Sequence, residues 1–202
     1  MALLFALTGL ALLKVGALQI CGTGVCRALP ADIAVLSALH AMRSPALDSF
    51  FALVTWAGSF YVLLPVAIVF ALRDQRASHF LQRWFVPLAL CFTWIAVQSA
   101  KLLVARPRPE LFDALITLPT DGSYPSAHAA QITAFACAWV LRSGERTRTS
   151  VIGLLLVTVL SVALSRLYLQ VHYPSDVIYG MAASMLWVAA LDCLRLTAEA
   201  RP

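Results

Sequence analysis

The chain has 202 residues, of which 61% are hydrophobic and 12% are charged, and its formal net charge at pH 7 is +5. Soluble domains carry about 25% charged residues, so this composition excludes an ordinary soluble protein. The positive charge does not indicate a nucleic-acid partner, because the basic residues lie in short connections between apolar runs and form no stripe with interleaved aromatic residues. We therefore expect a polytopic membrane protein.

Six apolar segments follow one another along the chain. About 20 helical residues cross a bilayer, so each segment is a predicted transmembrane helix, although the fourth is short for a full crossing. The first segment has no positively charged region ahead of it and is interrupted by Lys14, which favours a membrane helix over a signal peptide. The predicted fold is all-α, with residues 1–202 as one domain. The segments are 2–20, 47–72, 84–105, 128–141, 150–168 and 176–194.

A shorter stretch, residues 31–44, lies between the first two segments and is bracketed by Pro30 and Pro45. Its apolar residues recur at helical spacing, with Asp32 and Arg43 near its ends. This pattern predicts a short interfacial helix along the membrane surface, with a buried re-entrant piece as the alternative. The apolar positions are Ile33, Leu36, Leu39 and Met42.

The connections between segments predict the orientation. One side of the membrane holds the larger share of basic residues, which the positive-inside rule places in the cytoplasm together with both termini. These residues are Arg73, Arg76, Arg83, Arg142, Arg146, Arg148, Arg195 and Arg201. The opposite, outer side holds Arg27, Arg43, Lys101, Arg106, Arg108 and Arg166.

The cysteines show no spacing typical of a metal site. Three lie inside apolar runs, where a thiol behaves as a small hydrophobic group. Cys21 and Cys26 are close together in a connection, where a disulfide is possible if that connection faces an oxidising compartment.

Polar residues gather at three places that alternating crossings put on one membrane face. Lys101 to Pro109 ends the third segment, Tyr124 to His128 precedes the fourth, and Ser165 to Asp176 joins the fifth to the sixth. The cations of these clusters suit phosphate, because guanidinium groups bind its oxygens in bidentate fashion. They are Lys101, Arg108 and Arg166. A lone cation here would instead reach for the lipid headgroups.

Two histidines lie in the same clusters. His172 and Asp176 are four residues apart, with a predicted helix start near Pro174 between them. A carboxylate at this distance can hold an imidazole in one tautomer, as in activated nucleophiles. His128 is suited to protonate a leaving alkoxide. Ser126, just before the fourth helix, can cap that helix or bind phosphate oxygens.

These clusters closely resemble the three motifs of the type 2 phosphatidic acid phosphatase superfamily, which includes the vanadium haloperoxidases. Lys101 with Arg108-Pro109 matches the first motif, and Ser165-Arg166, His172 and Asp176 match the third. The second motif reads Pro125-Ser126-Ala127-His128, with Ala127 in place of the family's glycine. The resemblance covers residues 101–176.

The resemblance implies a mechanism without a cofactor or metal. His172 attacks phosphorus, Asp176 supports it and His128 protonates the leaving oxygen, after which water hydrolyses the phosphohistidine. The phosphate is held by Lys101, Arg108, Ser126 and Arg166, with Arg106 as a possible further contact. If the family's glycine has positive φ, Ala127 would be strained, whereas a requirement for small size alone is met. His40 and His79 have no such neighbours, and we assign them surface or structural roles.

The leading hypothesis is an integral membrane lipid phosphatase whose site faces outward from the cytoplasmic membrane. Candidate substrates are undecaprenyl pyrophosphate, phosphatidylglycerophosphate, phosphatidate and a lipid A phosphate. One alternative is a phosphotransferase that passes phosphate from His172 to a second lipid. Another is a non-catalytic membrane transporter or lipid-binding protein, which the intact set of site residues opposes.

Overall fold

The computed structural model describes residues 1–22, 24–74, 77, 79–143 and 148–200. These residues form helices joined by turns and loops, and no β-strand occurs among them, so the all-α prediction is confirmed. A 3₁₀ turn, Thr55–Gly58, joins the third helix to the fourth. The helices are α1 (Ala2–Cys21), α2 (Pro30–Ala41), α3 (Pro45–Val54), α4 (Phe60–Arg73), α5 (Phe80–Val104), α6 (Ala127–Ser143), α7 (Thr149–Tyr168) and α8 (Pro174–Glu199).

Four helices, α1, α5, α7 and α8, are long and apolar enough to cross a membrane. α3 and α4 together pass the same test, but they are bent by 49° at the 3₁₀ turn, so the single helix predicted over 47–72 is broken. α6 has only 17 residues and is not among the candidate spans. By length and composition the described residues hold four or five spans, and six spans stay a prediction.

Close packing explains the break between α3 and α4. A side chain on Gly58 would put its Cβ 2.9 Å from the carbonyl oxygen of His128 and against Val162. Only glycine allows the turn to approach α6 and α7 so closely. The 3₁₀ turn is thereby held beside the first residues of α6.

α6 is the central helix of the bundle and packs against α4, α5, α7 and α8. Its buried face is built mainly from alanines, which let neighbouring backbones approach closely. These are Ala129, Ala130, Ala134, Ala136 and Ala138. The N-terminus of α6 is therefore surrounded by other elements of the bundle.

α1 packs along α8 through two glycines. Gly9 lies against the indole of Trp187, and Gly16 lies beside the hydroxyl of Tyr124. That hydroxyl donates a hydrogen bond of 2.9 Å to the carbonyl oxygen of Leu13. The loop between α5 and α6 is thus attached to α1.

Most of the apolar positions predicted for α2 are not buried within the bundle. Pro30 and Pro45 occupy first helical positions, as their fixed φ favours, but only Leu36 of the apolar positions is fully buried. Ile33 and Met42 are exposed. The side chain of Asp32 is buried instead, because it accepts hydrogen bonds from other elements. An interfacial position for α2 stays a prediction.

One end of the bundle carries a disulfide, and the opposite end carries an ion pair. A disulfide joins Cys21, at the end of α1, to Cys26. At the opposite end, Arg142 of α6 pairs with Asp74 after α4. The other residues used to predict the orientation include Arg76, Arg146 and Arg201, which lie outside the described residues.

Candidate active site

A cavity of about 150 Å³ lies where α5 and α7 end and α6 begins. Residues of all three polar clusters meet there, as alternating crossings predict. Its polar lining includes Lys101, Arg108, Asp121, His128, Arg166 and His172. An aromatic wall of Phe60, Tyr61 and Trp94 closes another side.

The end of α7 sets the position of His172. Gln170 adopts a left-handed conformation with φ of 59°, which turns the chain back on the helix. The backbone N–H groups of Val171 and His172 both donate to the carbonyl oxygen of Arg166, at 3.2 and 3.3 Å. α8 then begins at Pro174, where the sequence predicts a helix start. This turn brings the imidazole of His172 beside the first turn of α8.

The two ring nitrogens of His172 have different surroundings. Nδ1 lies 3.5 Å from Oδ2 of Asp176 and 3.4 Å from Oγ of Ser123. Nε2 lies 3.4 Å from Nη1 of Arg108, a residue that lines the cavity. A proton on Nδ1 can be donated to Asp176 or Ser123, which leaves the lone pair of Nε2 toward the cavity. This is the tautomer that a nucleophilic imidazole requires.

The charge state of His172 supports the same assignment. Burial, together with the positive charges of Arg166, Lys101 and Arg108, holds the pKa of His172 well below its ordinary value of 6.5. The imidazole is therefore neutral at pH 7, and its contact with Asp176 is a neutral N–H facing a carboxylate. Because this pKa is depressed, protonation on acidification opposes folding, so His172 favours the folded state above about pH 6.5.

Asp176 is held by several donors. Its Oδ2 accepts hydrogen bonds from the hydroxyl of Ser123 at 2.5 Å and from the backbone N–H of Tyr173 at 2.9 Å. Its Oδ1 accepts from Nη1 of Arg106 at 2.5 Å. A carboxylate with this many fixed donors has little freedom to turn, so it can orient the imidazole beside it.

Arg106 is not brought to the cavity. Ala105, the residue after α5, has a left-handed conformation with φ of 46°, and the side chain of Arg106 that follows is only 1% exposed. Besides Asp176, it donates from Nη2 to Oδ2 of Asp32, at 3.1 Å, and its guanidinium carbon lies 3.9 Å from the ring centre of Tyr173. Asp32 also accepts from the N–H of Ser175 at 2.9 Å. Arg106 thus links α2 to the carboxylate of Asp176.

The guanidinium of Arg166 lines the cavity without a carboxylate in reach. The residue is 2% exposed, and its Nη1 donates to the hydroxyl of Thr55 at 2.5 Å. Within the described part of the chain, no acidic side chain lies within 4.0 Å of it, and its Nε has no hydrogen-bond partner. A buried cation in this condition is typical of an anion-binding site, because the bound anion supplies the missing charge.

Lys101 and Arg108 also line the cavity, but both contact Asp121. Nζ of Lys101 lies 3.0 Å from Oδ2 of Asp121, and Nη2 of Arg108 lies 2.6 Å from Oδ1. Although partial burial opposes it, the charges of Lys101 and Arg108 lower the pKa of Asp121, so its carboxylate is ionised at pH 7. Lys101 further donates to the carbonyl oxygen of Gly122 at 2.5 Å.

The second motif begins α6. His128 and Ala127 line the cavity, whereas Ser126 is fully buried and is not part of the lining. The hydroxyl of Ser126 has no hydrogen-bond partner among the described residues, and its N–H donates to the carbonyl oxygen of Asp176 at 3.0 Å. Ala127 is the first helical residue and does not have positive φ. Its conformation is therefore one that alanine adopts without strain.

The remaining histidines lie away from the cavity. His40 stacks on Phe112 with ring centres 3.8 Å apart, and His79 precedes α5 at an exposed position. The described residues contain no group of three or more His, Cys, Asp or Glu side chains arranged to hold a metal ion.

The sequence did not predict three polar residues that contact the site or its supporting groups. Asp121 and Ser123 belong to the loop before the second motif, and Asp32 lies in α2. Their only signal was position: Asp121 and Ser123 immediately precede Tyr124, and Asp32 is an acidic residue within an apolar stretch. Contacts between such distant segments leave no periodic pattern in a sequence.

Comparison with known families decides the classification. The model of the PAP2 superfamily matches residues 82–198, which is more than half of the chain. The chain belongs to the PAP2 superfamily. The resemblance predicted from the three motifs is confirmed, and all three motifs lie within the matched residues.

One characterised relative, from two strains of Mycobacterium tuberculosis (CDC 1551 / Oshkosh and ATCC 25618 / H37Rv), is decaprenylphosphoryl-5-phosphoribose phosphatase. It is 38% identical to this PAP2 chain over 114 residues, which are 55% of this chain and 60% of the relative. The match therefore covers less than two thirds of that relative.

Two solved PAP2-like structures share the fold. The first transmembrane PAP2 type phosphatidylglycerolphosphate phosphatase from Bacillus subtilis superposes with a TM-score of 0.81 at 19% identity, over 98% of both chains. LpxE from Aquifex aeolicus superposes with a TM-score of 0.66 at 22% identity, over 82% of this chain and 94% of its own. The multi-pass helical architecture is thus that of membrane PAP2 proteins.

Proposed function

We propose that this PAP2 protein is a phosphatase that removes a phosphate group from a membrane lipid, with His172 as the nucleophile. The observation that carries the proposal is the pairing, in one cavity, of a neutral imidazole with the unneutralised guanidinium of Arg166. A phosphate group would neutralise Arg166 while lying next to Nε2 of His172. Phosphoryl transfer is mostly positioning and charge stabilisation, and the cavity offers both.

In the first step, the lone pair of Nε2 of His172 forms a bond to phosphorus while the bond from phosphorus to the lipid oxygen breaks. His128 gives its proton to the departing oxygen. It enters the step protonated because the negative charge of the bound phosphate offsets Arg166 and Lys101, which otherwise oppose a charge on this largely buried imidazole. Asp176 stabilises the positive charge that develops on the imidazole of His172. The products of this step are the lipid alcohol and phosphohistidine.

In the second step, water attacks phosphorus and the bond to Nε2 breaks. His128, now neutral, accepts a proton from the attacking water, which returns it to its starting state. Inorganic phosphate leaves, and His172 is again neutral. The residues of this chain thus complete the cycle by themselves, and we propose that no metal or cofactor takes part.

The phosphate oxygens would be held by Lys101, Arg108 and Arg166, with Ser126 as a further donor. The hydroxyl of Ser126 has no partner among the described residues, which favours that role, but Ser126 does not line the cavity, so the phosphate would have to reach it beside Ala127 and His128. Arg106 is left out of this set, because Asp176 and Asp32 occupy its guanidinium.

The aromatic wall supports a lipid substrate. Phe60 and Trp94 stack with ring centres 5.4 Å apart, and the side chain of Tyr61 is 78% exposed at the surface of α4. A headgroup can therefore occupy the cavity while the tails stay in the bilayer. The Mycobacterium relative favours a polyprenyl-linked sugar phosphate, which joins the four lipids named from the sequence as candidates.

We also propose that the chain lies in the cytoplasmic membrane with both termini inside and the site on the outer face. The disulfide between Cys21 and Cys26 supports this orientation, because it lies at the end of the bundle that carries the site. Disulfides persist on the oxidising side of the membrane.

Phosphate release from a panel of lipids tests the proposal. The purified protein is expected to hydrolyse at least one of polyprenylphosphoryl phosphopentose, undecaprenyl pyrophosphate, phosphatidylglycerophosphate, phosphatidate and a lipid A phosphate, with full activity in excess chelator. In sealed right-side-out vesicles, substrate added outside should be consumed. Absence of release from every lipid, or strict dependence on a divalent metal, contradicts the proposal. Label recovered on a second lipid would indicate a phosphotransferase.

Replacing Ser123 by alanine is expected to lower kcat by about tenfold, as loss of one hydrogen bond to a charged group predicts. The imidazole would keep Asp176 but lose the hydroxyl that orients both groups, so KM should change little. Steady-state kinetics on the best lipid of the panel measures both constants, and Ser123→Thr should recover most of kcat. Ser184→Ala is the control, since that buried hydroxyl bonds only within α8. Equal kinetics of Ser123→Ala and Ser184→Ala would exclude a positioning role.

A further inference from the structure

Two of the three cations in the cavity already have a carboxylate bound. The two oxygens of Asp121 are divided between Lys101 and Arg108, at 3.0 and 2.6 Å. The side chain of Asp121 lines the cavity and is 39% exposed, so it can leave these positions without crossing the protein interior. Arg166, in contrast, has no carboxylate partner in the ranges that the structure describes. The cavity therefore contains its own counter-ion for part of the phosphate site.

A substrate phosphate needs the donors that Asp121 occupies. Two phosphate oxygens bridging a lysine and an arginine would take the same places as the two carboxylate oxygens. If Asp121 stayed, the phosphate would lie within a few ångströms of another negative charge, which raises its energy. Displacement of Asp121 is thus part of binding.

On these grounds we propose that Asp121 competes with phosphate for Lys101 and Arg108, and that it weakens the hold on inorganic phosphate so that product leaves the site. The inference rests on the proposed phosphatase function and assigns a residue that controls its affinity. Binding of the lipid substrate is weakened by the same factor, but the tails of the lipid contribute affinity that free phosphate lacks. The lipid can therefore still bind at a site from which free phosphate leaves readily.

The opposite role is a structural one, in which Asp121 holds Lys101 and Arg108 in position. The backbone already does this without the carboxylate. The carbonyl oxygen of Gly122 accepts from Lys101, and that of Asp121 accepts from Nε of Arg108 at 3.3 Å. The N–H of Ser123 donates to the carbonyl oxygen of Arg106 at 2.7 Å and anchors the loop. Neutralising the side chain should leave both cations in place.

Calorimetric titration of the purified protein with inorganic phosphate distinguishes the two roles. Asp121→Asn is expected to bind phosphate about tenfold more tightly than the unsubstituted protein, and phosphate should become a correspondingly stronger competitive inhibitor of lipid hydrolysis. Asp113→Asn is the matched control, because it removes the same charge from an exposed position in the same loop, outside the cavity. Asp121→Ala serves as a second variant if the asparagine protein does not fold.

Unchanged or weaker phosphate binding by Asp121→Asn, or an equal gain in Asp113→Asn, overturns the inference. If the unsubstituted protein binds phosphate and the variant gains nothing, the inference fails while the phosphatase proposal stands. If neither protein binds phosphate, the phosphate site itself fails, and with it both proposals. If inorganic phosphate binds to Asp121→Asn but not to the unsubstituted protein, the result supports competition between Asp121 and phosphate.

Discussion

Replacement of His172 by alanine is expected to lower turnover by roughly 10⁴-fold or more, as loss of a nucleophile does in other enzymes. Lys101, Arg108 and Arg166 remain in the variant, so it should still bind inorganic phosphate. Rapid quenching of the unsubstituted protein with ³²P-labelled substrate should trap label that is stable in base and lost in acid, as expected for phosphohistidine. The same experiment on the variant should trap none.

His79 offers a matched control for this substitution. It lies at an exposed position before α5, so His79→Ala should retain full activity and form the labelled intermediate. Turnover by His172→Ala close to that of His79→Ala would contradict the nucleophile assignment. A variant that fails to bind phosphate would instead indicate a misfolded protein, and His172→Gln would then repeat the test with a side chain closer in size.

Replacement of Arg106 by methionine is expected to lower the free energy of unfolding by about 3–5 kcal/mol, because it leaves the buried carboxylates of Asp32 and Asp176 without their cation. Turnover should fall as well, since Asp176 loses one of the groups that orient it. Thermal unfolding in detergent, followed with a thiol-reactive dye, measures the stability. The dye would report exposure of the half-buried thiols Cys91, Cys137 and Cys193.

The variant Arg108→Met, two residues further along the chain, is the control for Arg106→Met. The carboxylate partner of Arg108, Asp121, is partly exposed, so Arg108→Met should cost at most about 1 kcal/mol of stability while it weakens phosphate binding. Adding Asp32→Asn to Arg106→Met removes one of the two unpaired charges and should restore part of the lost stability. Equal stability of the two single arginine variants would show that the ion cluster of Arg106 does not support the fold.

The helices were predictable because their cause is local. Bilayer hydrocarbon offers no hydrogen-bond partners, so a long apolar run must form a helix. α5, α7 and α8 each contain a predicted segment almost in full. The prediction of one continuous helix over 47–72 was wrong at residues 55–58. The helix is broken there because α6 and α7 approach Gly58 closely. The hydropathy of a segment does not predict such a contact with other helices.

The site was predictable to the extent that topology and short spacings decide it. Lys101, His128 and His172 line one cavity, as expected from the ends of alternating segments. The different surroundings of Arg106 and Arg108 could not be predicted in this way. Arg106 and Arg108 look alike in the sequence, yet one guanidinium is buried with two carboxylates and the other lines the cavity. The chain leaves α5 through a left-handed conformation at Ala105, just before both arginines, and an alanine in the sequence does not predict such a conformation.

By itself, the sequence determined the helical architecture, the family and the histidines and cations that line the cavity, because hydropathy and motif spacing act over one turn or one crossing. Only the tertiary structure decided which carboxylate partners each cation. Asp32 reaches Ser175 and Arg106 across most of the chain, and Asp121 reaches two cations from a loop without regular structure. Such pairs depend on how whole helices pack, since a buried charge finds its partner only when the bundle closes around it.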